Sequence, residues 1–157
     1  MRSYIFRSTI KCIRIQYSDT ANGTIFTNMF YGWDTGTHII PSLDFRKGTD
    51  FTNMFNWSSN IVEIGEMDIS SATKVTSMFG NCSGLVRVSF VPACIKLSIS
   101  FAQSSKLDDA SIQSIIDGLA DLTGAIAQTL TLHATVGAKL TDAQKATATA
   151  KNWTLVY

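Results

Sequence analysis

The sequence predicts an α/β fold: a solenoid of stacked units with one short parallel strand per repeat, of period about 22–25, followed by helical C-terminal units. Three observations lead there. The motif Thr27-Asn28-Met29-Phe30 recurs as Thr52-Asn53-Met54-Phe55 and, slightly changed, as Thr76-Ser77-Met78-Phe79. Each copy is followed at a similar distance by a short segment in which apolar and polar residues alternate, the signature of a half-buried strand. The last third of the chain switches to helical spacing of its apolar residues. A period this short leaves room for one strand, a turn and a loose return. Stacked units of that kind each leave an apolar face that only their neighbours cover.

Taken in order, residues 1–22 stand outside the motif. Ile13, Ile15 and Tyr17 alternate with Arg14 and Gln16, which predicts a strand, and Asn22-Gly23 marks a turn into the first copy. Residues 23–101 hold the Met-Phe copies, and Phe26, Phe51 and Val75 precede the threonine in each. A degenerate fourth copy is Ser98-Ile99-Ser100-Phe101. The alternating segments 42–45, 66–69 and 85–90 are expected strands, with Leu43 and Phe45, Met67 and Ile69, and Val88 and Phe90 pointing inward. Recurrence at one phase assigns the Met-Phe pairs to a buried ladder. In residues 102–157, Asp108 or Asp109 caps an expected helix running to about Leu122, with Leu107, Ile112, Ile115, Ile116, Leu119 and Leu122 on one face and Gly124 as its stop. Thr129-Leu130-Thr131-Leu132 reads as a strand. Thr141 caps an alanine-rich helix to about Lys151, and Trp153-Thr154-Leu155-Val156 is a final strand. The three segments, 1–22, 23–101 and 102–157, make one domain.

These motifs resemble a known family. Thr-x-Met-Phe followed by a small or Cys position, as in Met78-Phe79-Gly80-Asn81-Cys82, is similar to the BspA-like leucine-rich-repeat family. The C-terminal stretch carries the more specific part: Ala120-Asp121-Leu122-Thr123-Gly124, Thr129-Leu130-Thr131-Leu132, Lys139-Leu140-Thr141-Asp142-Ala143-Gln144-Lys145, and Lys151-Asn152-Trp153-Thr154-Leu155. The resemblance covers residues 23–157. It implies an α/β leucine-rich-repeat solenoid used for binding and not for catalysis. Members occur as adhesin-like modules on bacterial surfaces, and similar sequences occur in gut bacteria and the phages that infect them. The first copy departs from the pattern, with Tyr31-Gly32-Trp33 and an insertion at 34–38.

Composition sharpens the reading. Of 157 residues, 45% are hydrophobic and only 16% charged, against the usual figure of about 25%. Net charge is +1, while 17 Ser and 18 Thr supply most of the polar surface. A nucleic-acid partner needs clustered Lys and Arg, so none is expected. Disorder pairs low hydrophobicity with high net charge and is also excluded. No run approaches the apolar length of a membrane helix, so no membrane insertion is expected. Arg7, Lys11 and Arg14 interrupt any apolar run near the start, so the chain reads as one without a signal peptide. Cys12, Cys82 and Cys94 fit no zinc spacing and read as buried thiols.

No phosphate-binding glycine loop and no Gly-x-Ser-x-Gly elbow is present. His38 and His133 lie far apart in the chain with no nucleophile singled out beside them, and both read as structural. Asp108-Asp109 reads as a helix N-terminus matched to the helix dipole. Glu63 and Glu66, the two glutamates, read as solvated loop residues. No catalytic residue, metal ligand or cofactor is assigned. The aromatic residues Tyr31, Trp33 and Trp57, just after the Met-Phe pairs, are the candidate ligand-binding residues, because Tyr and Trp give large contact area and stack on sugars or peptides. The expected function is a non-catalytic binding or structural module. The first expectation is a phage virion component (fibre, tail or capsid decoration) serving assembly or host-surface contact; the alternative is a bacterial cell-surface adhesin or ligand-binding module. Expected partners are proteins or surface glycans, within a larger assembly or homo-oligomer. Docking is expected through an exposed strand edge, either Trp153–Val156 or the segment 13–17. The expected location is the virion, or the extracellular space or cell surface.

Overall fold

Apolar residues that recur once per motif copy meet across neighbouring segments, and this decides how the middle of the chain folds. The computed structural model describes residues 20–157. Within it, Phe26 donates its backbone N–H to Asp50 O (2.8 Å), Asn28 to Thr52 O (3.0 Å) and Phe30 to Met54 O (2.8 Å). The next segment repeats the pattern: Phe51 to Lys74 O (2.9 Å), Asn53 to Thr76 O (2.9 Å) and Phe55 to Met78 O (2.9 Å). Side chains follow the backbone. Phe30 stacks on Phe55 at 5.3 Å and 4°, Phe55 on Phe79 at 5.5 Å and 12°, and Phe79 on Phe101 at 4.5 Å and 24°. These separations match the roughly 4.8 Å between paired parallel strands. The fourth, degenerate copy thus contributes Phe101 to the same column. Met29, Met54 and Met78 are buried beside it.

The motif's second position has a backbone cause. Met29, Met54 and Met78 donate to Phe26, Phe51 and Val75 O respectively, closing a turn in each copy. Asn28, Asn53 and Ser77 occupy the third position of that turn at φ of 57°, 54° and 51°. Asparagine tolerates this left-handed region better than most residues.

The protein is a small α/β protein whose parallel strands lie in two three-stranded sheets. The first sheet is β1 (His38–Ile40), β2 (Ile61–Met67) and β3 (Arg87–Phe90), with Ile40 opposite Ile64 and Ile64 opposite Val88. The second is β4 (Ile99–Phe101), β5 (Gln128–Leu132) and β6 (Trp153–Val156), with Ile99 opposite Leu130 and Gln128 opposite Trp153. Helix α1 (Asp109–Gly118) stands between β4 and β5 in sequence. It takes the place of a further strand beside β3: Val88 N–H donates to Ser111 Oγ (3.0 Å) and Phe90 N–H to Ser114 Oγ (2.9 Å). Hydroxyls on one helix face thus satisfy a strand edge that would otherwise be buried unpaired. Two further helices precede β6: the single turn α2 (Ala134–Gly137) and α3 (Asp142–Ala150). One core cluster runs through both sheets and α1, from Phe26 to Trp153.

Several expectations need correction. The strands expected at 42–45 and 66–69 begin earlier, at His38 and Ile61. Pro41 has no N–H to extend β1, and β2 continues through a bulge between Ile64 and Glu66. Phe45 and Ile69 are buried, but in the loops after the strands, and Leu43 is half-buried. The third strand starts at Arg87, later than the expected Leu85. The helix expected to reach Leu122 ends at Gly118, because Leu119 turns extended and pairs with Ile95. Lys151 Nζ then caps that end, 2.8 Å from Leu119 O. The turn α2 has no counterpart in the sequence reading, since so short a helix gives too little pattern to read. Thr141 caps α3 as expected, with Gln144 completing a capping box. The strand expected at Ile13–Tyr17, its docking edge, and Cys12 lie outside the described residues.

Phe55 has a ring against each of its faces and is fully buried. Phe55→Ala should cost about 3–5 kcal/mol of unfolding free energy in urea denaturation. A loss under about 1 kcal/mol would mean the column is not what holds the segments together.

Candidate functional site

Past each stacked phenylalanine the chain emerges at the surface, and four such exits lie side by side. Tyr31 follows Phe30 directly, while Trp57, Asn81 and Gln103 each stand two places after Phe55, Phe79 and Phe101. With Gly32, Asp34, Ser59 and Ser83 they line an open groove of about 500 Å³. Tyr31 and Trp57 are 44% and 58% exposed, so two of the three sequence-predicted aromatic residues come together here. The third does not. Trp33 is 1% exposed, with its ring edge-on to Phe30 (5.2 Å) and against His38 (4.8 Å). It is a core residue packed at the Phe30 end of the column, a consequence of the irregular first copy.

The groove has a backbone peculiarity. The position two places after the phenylalanine is left-handed in all three motif copies: Gly32 at φ 74°, Trp57 at 62° and Asn81 at 55°. Glycine and asparagine tolerate this region, but a bulky residue there costs on the order of 1–2 kcal/mol. Inter-segment bonds fix it: Gly32 N–H donates to Asn56 O (3.0 Å) and Trp57 N–H to Gly80 O (2.9 Å). Beneath, the Asn56 amide donates to Asn53 Oδ1 (3.1 Å), and Asn81 approaches Asn56 Oδ1 at 3.5 Å. Sequence reasoning missed Asn81, Ser83 and Gln103. The signal was the motif phase: counting two places on from each column phenylalanine finds Trp57, Asn81 and Gln103.

Groups that sequence inspection weighed for chemistry are engaged in holding the fold. His38 is buried, its Nε2 2.5 Å from Thr35 O, and its Nδ1 has no hydrogen-bond partner. His133 caps α2, its Nδ1 accepting from Thr135 N–H (3.2 Å). Asp108 caps α1 by accepting from Ser111 N–H (2.8 Å), and Asp109 lies 3.8 Å from Lys139. Glu63 and Glu66 are strand residues of β2, not loop residues, and Glu63 lies 3.4 Å from Arg87. Arg46 beside Asp44 holds that carboxyl down to about 2. Burial pushes the Cys82 thiol up to about 12 and raises that of Cys94. Both are free thiols packed in the core, and Cys82 Sγ donates to Phe55 O. Among the described residues no group of three or more His, Cys, Asp or Glu gathers to hold a metal ion, and no helix is long and apolar enough to cross a membrane.

Comparison of the chain with family models, with curated proteins and with solved structures finds no match in any of the three.

In Trp57→Asn, the lost ring burial and the relieved backbone strain work against each other. The variant should melt within about 4 °C of the parent, the shift expected from about 1 kcal/mol in a chain of this length. A much larger fall by calorimetry would make Trp57 a structural residue and not a surface platform.

Proposed function

We propose that the chain is a non-catalytic binding and structural module, a leucine-rich-repeat solenoid of the BspA-like kind. Its suggested setting is a phage virion, as part of a fibre, tail or capsid decoration that serves assembly or host-surface contact. The solenoid reading is supported by the motif spacing and by backbone bonds that join each copy to the next (Phe26 to Asp50 O, Phe51 to Lys74 O). The observation that carries the binding reading is Trp57, a large aromatic residue that is 58% exposed and held at φ 62°. Strained, exposed aromatic residues of this kind are characteristic of ligand contacts. The near-neutral, hydroxyl-rich composition favours contact-based recognition over electrostatic steering. Strand β6 has β5 as its single strand neighbour among the described residues, which leaves an edge to seat against a partner.

The alternative setting is a bacterial cell surface, where the same groove would serve adhesion; the resemblance to surface-located members favours it. Fractionation separates the two. Peptides of this chain should be found by mass spectrometry in density-purified phage particles and survive a high-salt wash. Recovery in the cell envelope would favour the adhesin, and recovery only as free cytosolic protein would overturn both.

A further inference from the structure

We propose that the groove between Tyr31 and Gln103 binds a neutral oligosaccharide; the inference rests on the binding-module reading and names the ligand class for it. The geometry is a row. Tyr31, Trp57, Asn81 and Gln103 leave four neighbouring segments whose phenylalanines stack in one column. Three spacings of roughly 4.8 Å make the row about 14 Å long, the scale of a short oligosaccharide and not of a single ring. Aromatic rings stand at one end and amides at the other. A sugar has an apolar face of C–H groups and an edge of hydroxyls. Rings with a polar tip suit the first, and amides, which both donate and accept, suit the second. Ser59 and Ser83 add hydroxyls along the same groove.

Charge selects the class further. Asp34 is the one ionisable acid or base among the described lining residues, apart from the Tyr31 phenol, and no Lys or Arg stands with it. An anionic sugar would find no cation to pair with and one carboxylate to repel it, whereas a neutral sugar gives that carboxylate a hydroxyl to accept from. An extended peptide is disfavoured by the groove's backbone. The N–H groups of Gly32 and Trp57 are already bonded to the next segments, so they offer no free edge for strand addition. Trp57 completes the case: where Gly32 and Asn81 fit the left-handed backbone, a tryptophan occupies it with its ring mostly in solvent.

Trp57 also supplies the readout. Trp33 and Trp153 are 1% and 4% exposed, so acrylamide quenching of tryptophan fluorescence reports chiefly on Trp57. Short neutral oligosaccharides of hexose and N-acetylhexosamine should protect that emission in the intact protein. Saturation-transfer NMR of the sugar should show at least about tenfold weaker binding to Trp57→Ala, with partial recovery in Trp57→Phe and a loss in Gln103→Ala. Unchanged circular dichroism and melting of these variants keeps the result about binding. The proposal is overturned if no neutral oligosaccharide protects Trp57, if binding is indifferent to both Trp57→Ala and Gln103→Ala, or if an anionic oligosaccharide or a peptide binds more tightly. A chain found in particles or envelopes that gives no protection loses the sugar assignment and keeps the binding-module reading. A chain found in neither place that gives no protection loses both.

Discussion

The structure depends on one constraint: alternate backbone N–H groups of a segment are satisfied by the next segment, while those between them close turns within their own. Between Phe26 and Trp57 the outward N–H groups of one copy find carbonyls of the next copy along. Such a bond is geometrically possible only if the two segments run parallel and in step. The phenylalanine column enforces the step, since stacked rings fix which residue lies over which. Hydrogen bonds supply direction and the rings supply register. A slip by one position would move Phe55 out of the column and put Asn56 or Met54 in its place.

The groove is a by-product of the same arrangement. Once four phenylalanines are stacked, the residues just beyond them must emerge in a row, a few ångströms apart. The fold therefore presents side chains at a regular spacing without a dedicated loop, and changing the residue two places after each phenylalanine changes the surface and leaves the column intact. Buried polar groups serve the frame. Ser58 Oγ donates to Phe30 O and Cys82 Sγ to Phe55 O, so the carbonyls beside the column are met from within. At β3, which pairs with no strand but β2 among the described residues, Ser111 and Ser114 of α1 accept from the Val88 and Phe90 N–H groups. The hydroxyl-rich composition is thus partly structural, since some of the serines and threonines meet backbone groups inside the frame.

Much of this was legible in the sequence. The column was visible because Met-Phe recurs at one phase, and the Thr141 cap and the strand Trp153–Val156 were read residue by residue. The first two strands of the opening sheet were misplaced because alternation continues past their ends: Phe45 and Ile69 point inward from loops, which a period-two pattern cannot distinguish from strand. The end of α1 was missed because Leu119 and Ala120 have helical propensity but pair with Ile95, a tertiary contact invisible to local pattern. At the groove, aromatic content singled out Tyr31 and Trp57, which are exposed and line it, but could not tell that Trp33 folds inward, where the insertion of the first copy brings His38 against it. Asn81 and Gln103 carried no compositional signal; only their phase relative to Phe79 and Phe101 places them in the row.

The claim that the segments stand or fall together is most directly read by native-state hydrogen exchange. The amides of Phe51, Asn53 and Phe55 bond across segments, and those of Val88 and Phe90 bond to the hydroxyls of α1. If the inter-segment ladder is the controlling interaction, all five should exchange through one cooperative opening, with the same free energy and the same denaturant dependence as global unfolding. Exchange of Phe51 and Phe55 through separate, low-energy local openings, while the two sheets stay protected, would contradict it.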